Sequence, residues 1–396
     1  MRRIAWVLLL VFAFAIPWEY SLDLGEPLGN IARFAGMIVL LAAIPAVLQA
    51  GRIRTPGAMQ WLALALYLWF CCTYFWTIEP LATLAMMRGY FQEMMIVWLV
   101  WEFAATAGDL RALLRAYVAG SWVLALLTLA SFVSADAMAA EQIRFAAAGQ
   151  DPNDVARFLN LGFPLAALLV NSEQRWVWRV LAAGYLPLGL VAVLLTASRG
   201  GFLAAVVGLS GCAVLLAYGH PKRVLAGALA LPMLVALLWF TIPRGSFERL
   251  ATISEQLQGG GLNQRWNIWT AGWHAFVRAP LLGAGAGSFV NAAGTAPSDT
   301  AHNTALSIAV SGGLVALFLA VSIVAIAIWS ITQTKGQLRW AMALALVVWG
   351  ITSMVATVEE NRSTWLLLAI IALTGRLGVE EPEGMTARFS ANDARG

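Results

Sequence analysis

The chain has 396 residues, of which 60% are hydrophobic and 12% charged, and its mean hydropathy is +0.75. Soluble domains carry about 45–50% apolar and about 25% charged residues, and disordered chains combine low hydrophobicity with high charge. The composition therefore excludes both classes and predicts an all-α, polytopic integral membrane protein. The net charge of +4 does not call for a nucleic-acid partner, because basic residues collect in the cytoplasmic loops of membrane proteins.

The apolar runs predict twelve membrane-spanning helices, since a span needs about 20 mainly apolar residues. The predicted spans are approximately 4–18, 31–49, 59–76, 90–107, 116–134, 155–170, 180–197, 201–218, 224–242, 304–330, 340–357 and 364–378. They form one domain, 1–378, and the polar residues 379–396 are predicted to be a disordered cytoplasmic tail. The start resembles a secretory signal, but eleven further spans favour a retained first helix.

A pair of basic residues precedes the first predicted span, and another pair lies in every second loop after it. These pairs predict the orientation of the chain in the membrane. The pairs are Arg2 and Arg3, Arg52 and Arg54, Arg111 and Arg115, Arg175 and Arg179, Lys222 and Arg223, and Lys335 and Arg339. Because short cytoplasmic loops carry an excess of Lys and Arg, these loops and both termini are predicted to be cytoplasmic.

Ten further basic residues fall on the outer side, and all of them are arginine. They are Arg33, Arg88, Arg144, Arg157, Arg199, Arg244, Arg249, Arg265, Arg278 and Arg362. The guanidinium group is always charged and offers a planar fork of donors that suits phosphate. Some of the ten are expected instead to reach lipid headgroups or to pair with outer carboxylates such as Glu248 or Glu359.

The long outer loop 243–303 contains two recognisable segments. Residues 263–277 carry Trp266, Trp269 and Trp273 at helical spacings, which predicts an amphipathic helix at the membrane interface. Residues 280–287 are rich in glycine and predict a tight turn, although such a run could also cradle phosphate through backbone N–H groups.

Three short segments carry residue types suited to chemistry, and each has a structural alternative. Arg199, in Thr196–Gly201, stands between apolar spans, where an arginine is costly unless it is paired or lines a cavity. Arg265 on the interfacial helix could face either headgroups or a cavity. His302, where the loop re-enters the membrane, could exchange a proton near neutral pH or could serve only as a structural hydrogen-bonding residue.

A fourth polar segment precedes the sixth predicted span. Arg144 is followed by Asp151-Pro152-Asn153-Asp154, in which Asn153 or Asp154 could cap the next helix. The chain has no His-Glu-x-x-His, Gly-x-Ser-x-Gly or P-loop motif, so soluble-type protease, hydrolase and ATPase chemistry is not indicated. Its three cysteines and three histidines form no metal-binding pattern, and no metal or other cofactor is predicted.

In this order, the segments resemble the bacterial O-antigen ligase and O-antigen polymerase superfamily. The matching pieces are Arg144 with Asp151-Pro152-Asn153, Thr196-Ala197-Ser198-Arg199-Gly200, Arg265 with Trp269, Pro280 to Gly285, and His302-Asn303. The ligase branch has His-Asn, nine residues, Gly, two residues, and then Gly, Thr or Tyr. Here Gly313 fits that pattern, whereas Ala316 departs from it at the last position.

The resemblance implies a metal-independent, inverting glycosyltransferase of GT-C-like fold in the bacterial inner membrane, with its active site facing the periplasm. The donor would be a polysaccharide on undecaprenyl pyrophosphate, and the acceptor a sugar hydroxyl of lipid A–core. Arg199 and Arg265 would hold the pyrophosphate, and His302 would orient or deprotonate the acceptor. Arg144, Asn153, Ser198 and Asn303 would be further substrate contacts.

Two other functions stay open at this point. A polymerase that joins O-antigen or exopolysaccharide repeat units would use the same donor with a different acceptor. An anion transporter of a bicarbonate-like kind is the alternative outside the enzymes. Transporters often show repeated halves and broken helices near the midplane, whereas the unusual residues here cluster towards one membrane face.

Overall fold

The computed structural model describes residues 1–135, 144–217, 242–251, 262–296, 299–380 and 389. These residues are mostly helical, and the only extended pairing among the described residues is an isolated antiparallel bridge between Asp23 and Asn30. The protein is an all-α polytopic membrane protein, as its composition predicts.

Fourteen α-helices are described, and short 3-10 segments follow the first and third of them. The helices are α1 Arg2–Ala15, α2 Ile31–Ala50, α3 Ala58–Cys72, α4 Pro80–Phe103, α5 Ala107–Val133, α6 Pro152–Ser172, α7 Trp176–Leu195, α8 Arg199–Ala217, α9 Arg244–Ala251, α10 Leu262–Arg278, α11 Phe289–Ala293, α12 Thr304–Thr332, α13 Gly336–Ser353 and α14 Arg362–Glu380.

Eleven of the twelve predicted spans correspond to described helices. Nine of the helices are long and apolar enough to cross a membrane within the described part of the chain. The other two, α4 and α13, fall short of that measure, and α4 carries Arg88, Glu93 and Glu102. The predicted span 224–242 lies almost wholly outside the described residues, so the count of twelve stays a prediction.

Two predicted boundaries are wrong, and charged residues explain why. Helix α4 covers Pro80–Phe103 rather than 90–107 and has proline at its first position, where a missing N–H costs nothing. Helix α5 begins at Ala107 rather than at 116, because Thr106 and Asp109 form a capping box at Ala107. At the other terminus, α14 reaches Glu380, and the rest of the predicted tail except residue 389 lies outside the described residues.

Helices α6 and α14 form the centre of the bundle. In their most apolar stretches 94% and 83% of the residues are buried, against 28% in α2. Helix α6 can therefore keep polar side chains away from lipid. Asn160 donates to the carbonyl of Gly201 at 2.8 Å and Asn171 to that of Leu215 at 3.0 Å, and both bonds join α6 to α8.

Ion pairs gather at the end of the bundle that carries the described basic pairs; the pair Lys222 and Arg223 lies outside the described residues. Arg2 Nη1 lies 2.8 Å from Glu102 Oε1, and Arg115 Nη2 lies 2.7 Å from Glu173 Oε2. Glu173 is fully buried and also faces Arg111 at 3.8 Å. These contacts place the predicted cytoplasmic loops at one common end of the bundle.

The glycine-rich run after α10 packs against a break in α12. Gly313 has φ +65° and ψ −162°, a region that is essentially restricted to glycine. The N–H groups of Ala284 and Gly285 donate to the carbonyls of Val310 and Ser311 at 2.8 and 3.0 Å. These N–H groups are thus used inside the fold, and the run is the tight turn that the sequence predicts.

Gly313→Ala should destabilise the protein strongly. A Cβ there would lie 2.2 Å from the carbonyl oxygen of Leu281, and the backbone region alone costs about 1–3 kcal/mol for a non-glycine residue. We expect a clearly lower thermal unfolding midpoint in detergent. Gly350→Ala is the matched control, because no atom lies within 4 Å of its Cβ position in α13; a midpoint of Gly313→Ala equal to that of Gly350→Ala would contradict the role of the break.

A candidate active site where four helices begin

A polar cavity of about 430 Å³ lies at the end of the bundle opposite the basic pairs. Five stretches of chain line it: the start of α6, the start of α8, Arg265 of α10, the residues before α12, and the connection from α13 to α14. Arg265, His302, Asn153 and Ser198, four of the residues predicted from the sequence, are among its lining residues.

Four helices start at the rim of this cavity. Asp151 caps α6, Ser198 precedes α8, Asn303 caps α12 and Asn361 precedes α14. The N-terminus of a helix carries a partial positive charge and unsatisfied N–H groups, so it favours anions. The backbone therefore makes this end of the bundle suited to a negatively charged group.

Arg265 contributes a cation that none of the described residues neutralises. The side chain is half-buried in the cavity, and the described residues give it neither a hydrogen bond nor an ion pair. One turn later, the indole Nε1 of Trp269 donates to the carbonyl of Ala301 at 3.0 Å. This bond fixes α10, and with it Arg265, against the residue that precedes His302.

His302 has a strained backbone conformation. Its φ is +45°, and among the described non-glycine residues only Ala197 shares a positive φ. Such conformations persist where the surrounding structure enforces them, and they are common at functional sites. Burial and then the charge of Arg265 lower the pKa of His302 below its usual value, so the imidazole is neutral at neutral pH and can accept a proton.

The second strained residue, Ala197, lies in the turn that joins α7 to α8. Arginines surround the carbonyl groups of this turn. Arg144 Nε donates to Thr196 at 3.1 Å, and Arg249 Nε donates to Ala197 at 3.3 Å. Arg199 Nε donates to the carbonyl of Arg249 at 3.1 Å. Three arginines thus concentrate positive charge around one tight turn.

Arg199 lies beside the cavity rather than in its lining. Ser198, Gly200 and Gly201 line the cavity, whereas the Arg199 guanidinium contacts Arg249. Arg199 is still within electrostatic reach of Arg265. Of the three residues expected to converge on one cavity, the structure therefore brings Arg265 and His302 together and sets Arg199 behind them.

Asn153 links the starts of α6 and α8. Its Oδ1 accepts from Ser198 Oγ at 2.8 Å and from Arg144 Nη2 at 2.9 Å. The cap of α6 is Asp151, whose carboxylate accepts from the N–H of Asn153 at 2.7 Å. The expectation that Asn153 or Asp154 caps this helix is therefore wrong, because Pro152 takes the first helical position and leaves the cap to Asp151.

Asn303 occupies a structural position in the described residues. Its Oδ1 accepts from the N–H of Leu306 at 3.0 Å and caps α12, and the residue does not line the cavity. The next residue, Thr304, joins α12 to the connection before α14 through bonds of 2.9 and 3.0 Å to Ala356 and Val358. Asn303 and Thr304 thus hold the segment that presents His302.

The sequence analysis did not single out three residues that the structure places at or beside this site. Arg157 and Glu360 line the cavity, and Arg249 contacts the turn at Ala197. Arg157 is buried, pairs with Asp154 and leaves its Nε without a hydrogen-bond partner. An arginine inside a predicted span was a usable signal, because such a residue must be paired or line a cavity. Glu360 gave no comparable signal.

Two glutamates follow each other in the connection from α13 to α14, and one of them, Glu360, lines the cavity. Desolvation raises the pKa of Glu360, which has no ion pair among the described residues. Its neighbour Glu359 is buried, and desolvation together with the charge of Glu360 raises its pKa to about 8. At neutral pH the raised pKa of Glu359 favours its uncharged form, which leaves the positive charge of Arg265 and the helix N-termini less opposed.

Of the outer arginines, some pair within the protein. Arg362 pairs with Glu19 and donates to Gln92 at 2.7 Å, and Arg33 lies 3.7 Å from Glu26. With the pair of Arg157 and Asp154, the carboxylate partners are therefore Glu19, Glu26 and Asp154 rather than Glu248 or Glu359. Arg265 differs from these arginines because the described residues provide no such partner.

Comparison with known proteins adds one match. Residues 184–321 match the family model described as O-antigen ligase, and this stretch contains Arg199, Arg265 and His302. No curated protein matches the chain. The match supports an O-antigen ligase-type function in general and a glycosyltransferase-like enzyme. This match supports the resemblance to the O-antigen ligase superfamily that the sequence motifs around the cavity indicate.

Proposed function

We propose that the cavity transfers polysaccharide from undecaprenyl pyrophosphate to a sugar hydroxyl of lipid A–core, as an O-antigen ligase does in lipopolysaccharide biosynthesis. The observation that carries the proposal is that Arg265, which no described residue neutralises, shares with a neutral His302 a cavity where four helices begin. An anionic leaving group and a hydroxyl nucleophile need these two kinds of residue.

The leaving pyrophosphate would bind at the cationic side of the cavity. As the bond from the sugar C1 to phosphate oxygen breaks, negative charge develops on that oxygen. Arg265 would stabilise it directly, while Arg199, Arg144 and Arg249 hold further positive charge around the adjacent turn. Fixed donors aimed at developing charge are among the largest contributions to catalysis, so we propose that no metal ion is needed.

The acceptor hydroxyl would lie against His302. As its oxygen bonds to C1, its proton passes to the neutral imidazole, and the electron pair of the breaking bond leaves with the pyrophosphate. Attack from the face opposite the leaving group inverts the configuration at C1. Asn153, Ser198 and Asn303 would position the substrates or the segments that contact them.

The location proposed for this reaction is the periplasmic side of the bacterial inner membrane. The basic pairs gather at the other end of the bundle, which by the positive-inside rule is cytoplasmic. A lipid-linked donor and a lipid-anchored acceptor could then both reach the cavity from the membrane. The position of the cavity at one end, rather than at the midplane, favours an enzyme over a transporter.

The test is transfer by the purified protein in detergent, with lipid-linked polysaccharide and lipid A–core as substrates. We expect joined product to form, and the same rate in the presence of EDTA, because arginines and helix N-termini supply the positive charge. If the rate falls in EDTA and an added divalent cation restores it, the metal-independent mechanism is contradicted. If no joined product forms from intact lipid-linked polysaccharide and lipid A–core, the proposed transfer reaction is contradicted.

A polymerase that uses the same donor is the second candidate, and Ala316 is the observation that favours it. This position departs from the ligase pattern, and Ala316 is fully buried against Gly312. Deletion separates the two functions. Loss of a ligase leaves long chains on the lipid carrier, whereas loss of a polymerase leaves core capped with a single unit.

A further inference from the structure

A second pocket, of about 670 Å³, lies at the end of the bundle opposite the candidate active site. It is bounded by the start of α1, the connection from α2 to α3, and the end of α4. The charged side chains in its lining are Arg2, Arg52, Arg54 and Glu102. Three arginines against one glutamate give this pocket an excess of positive charge.

The single carboxylate is already used by the protein. Glu102 Oε1 accepts from Arg2 at 2.8 Å, and its Oε2 accepts from the backbone N–H of Arg54 at 2.7 Å. Arg2 also donates to the carbonyl of Glu102 at 2.9 Å. Glu102 therefore organises the pocket and neutralises Arg2, but the side chains of Arg52 and Arg54 gain no carboxylate partner from the described residues.

Arg54 has a side-chain donor that no described residue satisfies. Its Nε is buried and has no hydrogen-bond partner, and a buried donor without a partner is costly. The next residue, Thr55, is held by the indole of Trp101, which donates to its carbonyl at 3.0 Å. The backbone around Arg54 is thus fixed on both sides, while its Nε has no hydrogen-bond acceptor among the described residues. An anion would supply the missing partner.

Apolar side chains beside the arginines indicate what carries the anion. Ile53 lines the pocket and is 63% exposed, and Leu48, in the last turn of α2, is 74% exposed. A soluble phosphate would leave both side chains uncovered. A phospholipid would cover them with its acyl chains while its phosphate met Arg52 and Arg54.

We propose that this pocket binds the headgroup of an anionic phospholipid, such as phosphatidylglycerol or cardiolipin, with the phosphate on Arg52 and Arg54 and the acyl chains along Leu48 and Ile53. Basic pockets between spanning helices on the cytoplasmic side are suited to such headgroups. A zwitterionic headgroup would bring a further positive charge next to two arginines that have no carboxylate partner among the described residues, so an anionic headgroup should bind better. The site is separate from the polar cavity and does not depend on the function proposed for that cavity.

The test is lipid binding by the full chain purified in detergent. Phosphatidylglycerol and cardiolipin should raise the thermal unfolding midpoint and be retained in native mass spectra, whereas phosphatidylcholine and inorganic phosphate should do neither. Equal stabilisation by inorganic phosphate would overturn the lipid in favour of a free anion. Equal stabilisation by phosphatidylcholine would overturn the headgroup contact.

A matched pair of variants locates the binding. Each basic residue near an anionic membrane surface contributes about five-fold to binding, so Arg52→Gln with Arg54→Gln should weaken phosphatidylglycerol binding about 25-fold. The control, Arg175→Gln with Lys335→Gln, removes two exposed charges from the same end outside the pocket and should bind as the wild type does. If both double variants lose phosphatidylglycerol binding equally, or if neither loses it, the proposed lipid site is wrong.

Folding of the variant can be separated from binding. Arg52 is exposed and has no partner among the described residues, and the Arg54 contact to Glu102 uses the backbone N–H, which the substitution keeps. The lipid-free unfolding midpoint should therefore match the wild type. If the double variant does not fold, Arg52→Gln alone should still lose about five-fold, and wild-type binding by that variant would count against the pocket.

Discussion

Arg265→Lys should lower polysaccharide transfer by about 10²–10³-fold, nearly as much as Arg265→Ala, because one preorganised donor to a developing charge is typically worth that much. Lysine keeps the charge but loses the planar fork that grips a phosphate with two parallel hydrogen bonds. Among the described residues, no carboxylate forms an ion pair with Arg265. Initial rates with the lipid-linked donor would measure the effect.

The control for this prediction lies on the same helix. Arg278 ends α10, is exposed, and donates to the carbonyl of Ala292 at 2.7 Å away from the cavity. Arg278→Lys should leave the rate nearly unchanged. Transfer at the wild-type rate by Arg265→Lys would mean that this arginine anchors α10 to lipid headgroups, for which any cation suffices.

His302→Ala should abolish transfer but leave binding of the lipid-linked donor largely intact, since the proposed partner of His302 is the acceptor. General base catalysis contributes about 10²–10⁴-fold. Alanine also strains the positive φ of +45°, so His302→Asn is the sharper variant, because asparagine tolerates this region and cannot act as the base. His274→Ala, at an exposed histidine of α10, should transfer normally.

The pH profile distinguishes a base from a merely structural histidine. Burial and Arg265 lower the pKa of His302, so the active neutral form persists as the pH falls until it passes through this lowered pKa. The acid limb of kcat/KM should therefore lie below the usual imidazole value of about 6.5 and should disappear in His302→Asn. Full activity of His302→Asn with an unchanged acid limb would assign the proton transfer to another group.

The sequence predicts most of the helices because lipid imposes a strong rule on the side chains that face it. Where charged residues lie inside a helix, the apolar run is shorter than the helix, and the predicted boundary is wrong. Helix α5 begins nine residues before its predicted start, at Ala107, because Arg111 and Arg115 are neutralised by Glu173. That partner is 58 positions away from Arg115, and no local pattern reveals the pairing.

The candidate site was predictable in part for a related reason. Arg265 and His302 stand out because each is a polar residue at a membrane boundary, and they line one cavity although 37 positions separate them. The direction of the Arg199 side chain depends on the strained Ala197 and on the carbonyl of Arg249, 50 positions away. Glu360 joins the cavity only through the packing of α13 and α14, which the sequence does not display.

Because α6 and α14 are enclosed by their neighbours, they are spanning helices that hardly meet lipid. Hydration and hydrocarbon solubility select the side chains of a peripheral helix such as α2, but steric fit selects those of an enclosed helix. Among relatives, the kinds of substitution that are tolerated should therefore differ between the peripheral and the enclosed helices of the bundle. Peripheral positions can exchange freely among apolar residues of different size, whereas enclosed positions can change polarity only if shape is kept and a hydrogen-bond partner is present. The two central helices obey the rules of a soluble protein's interior.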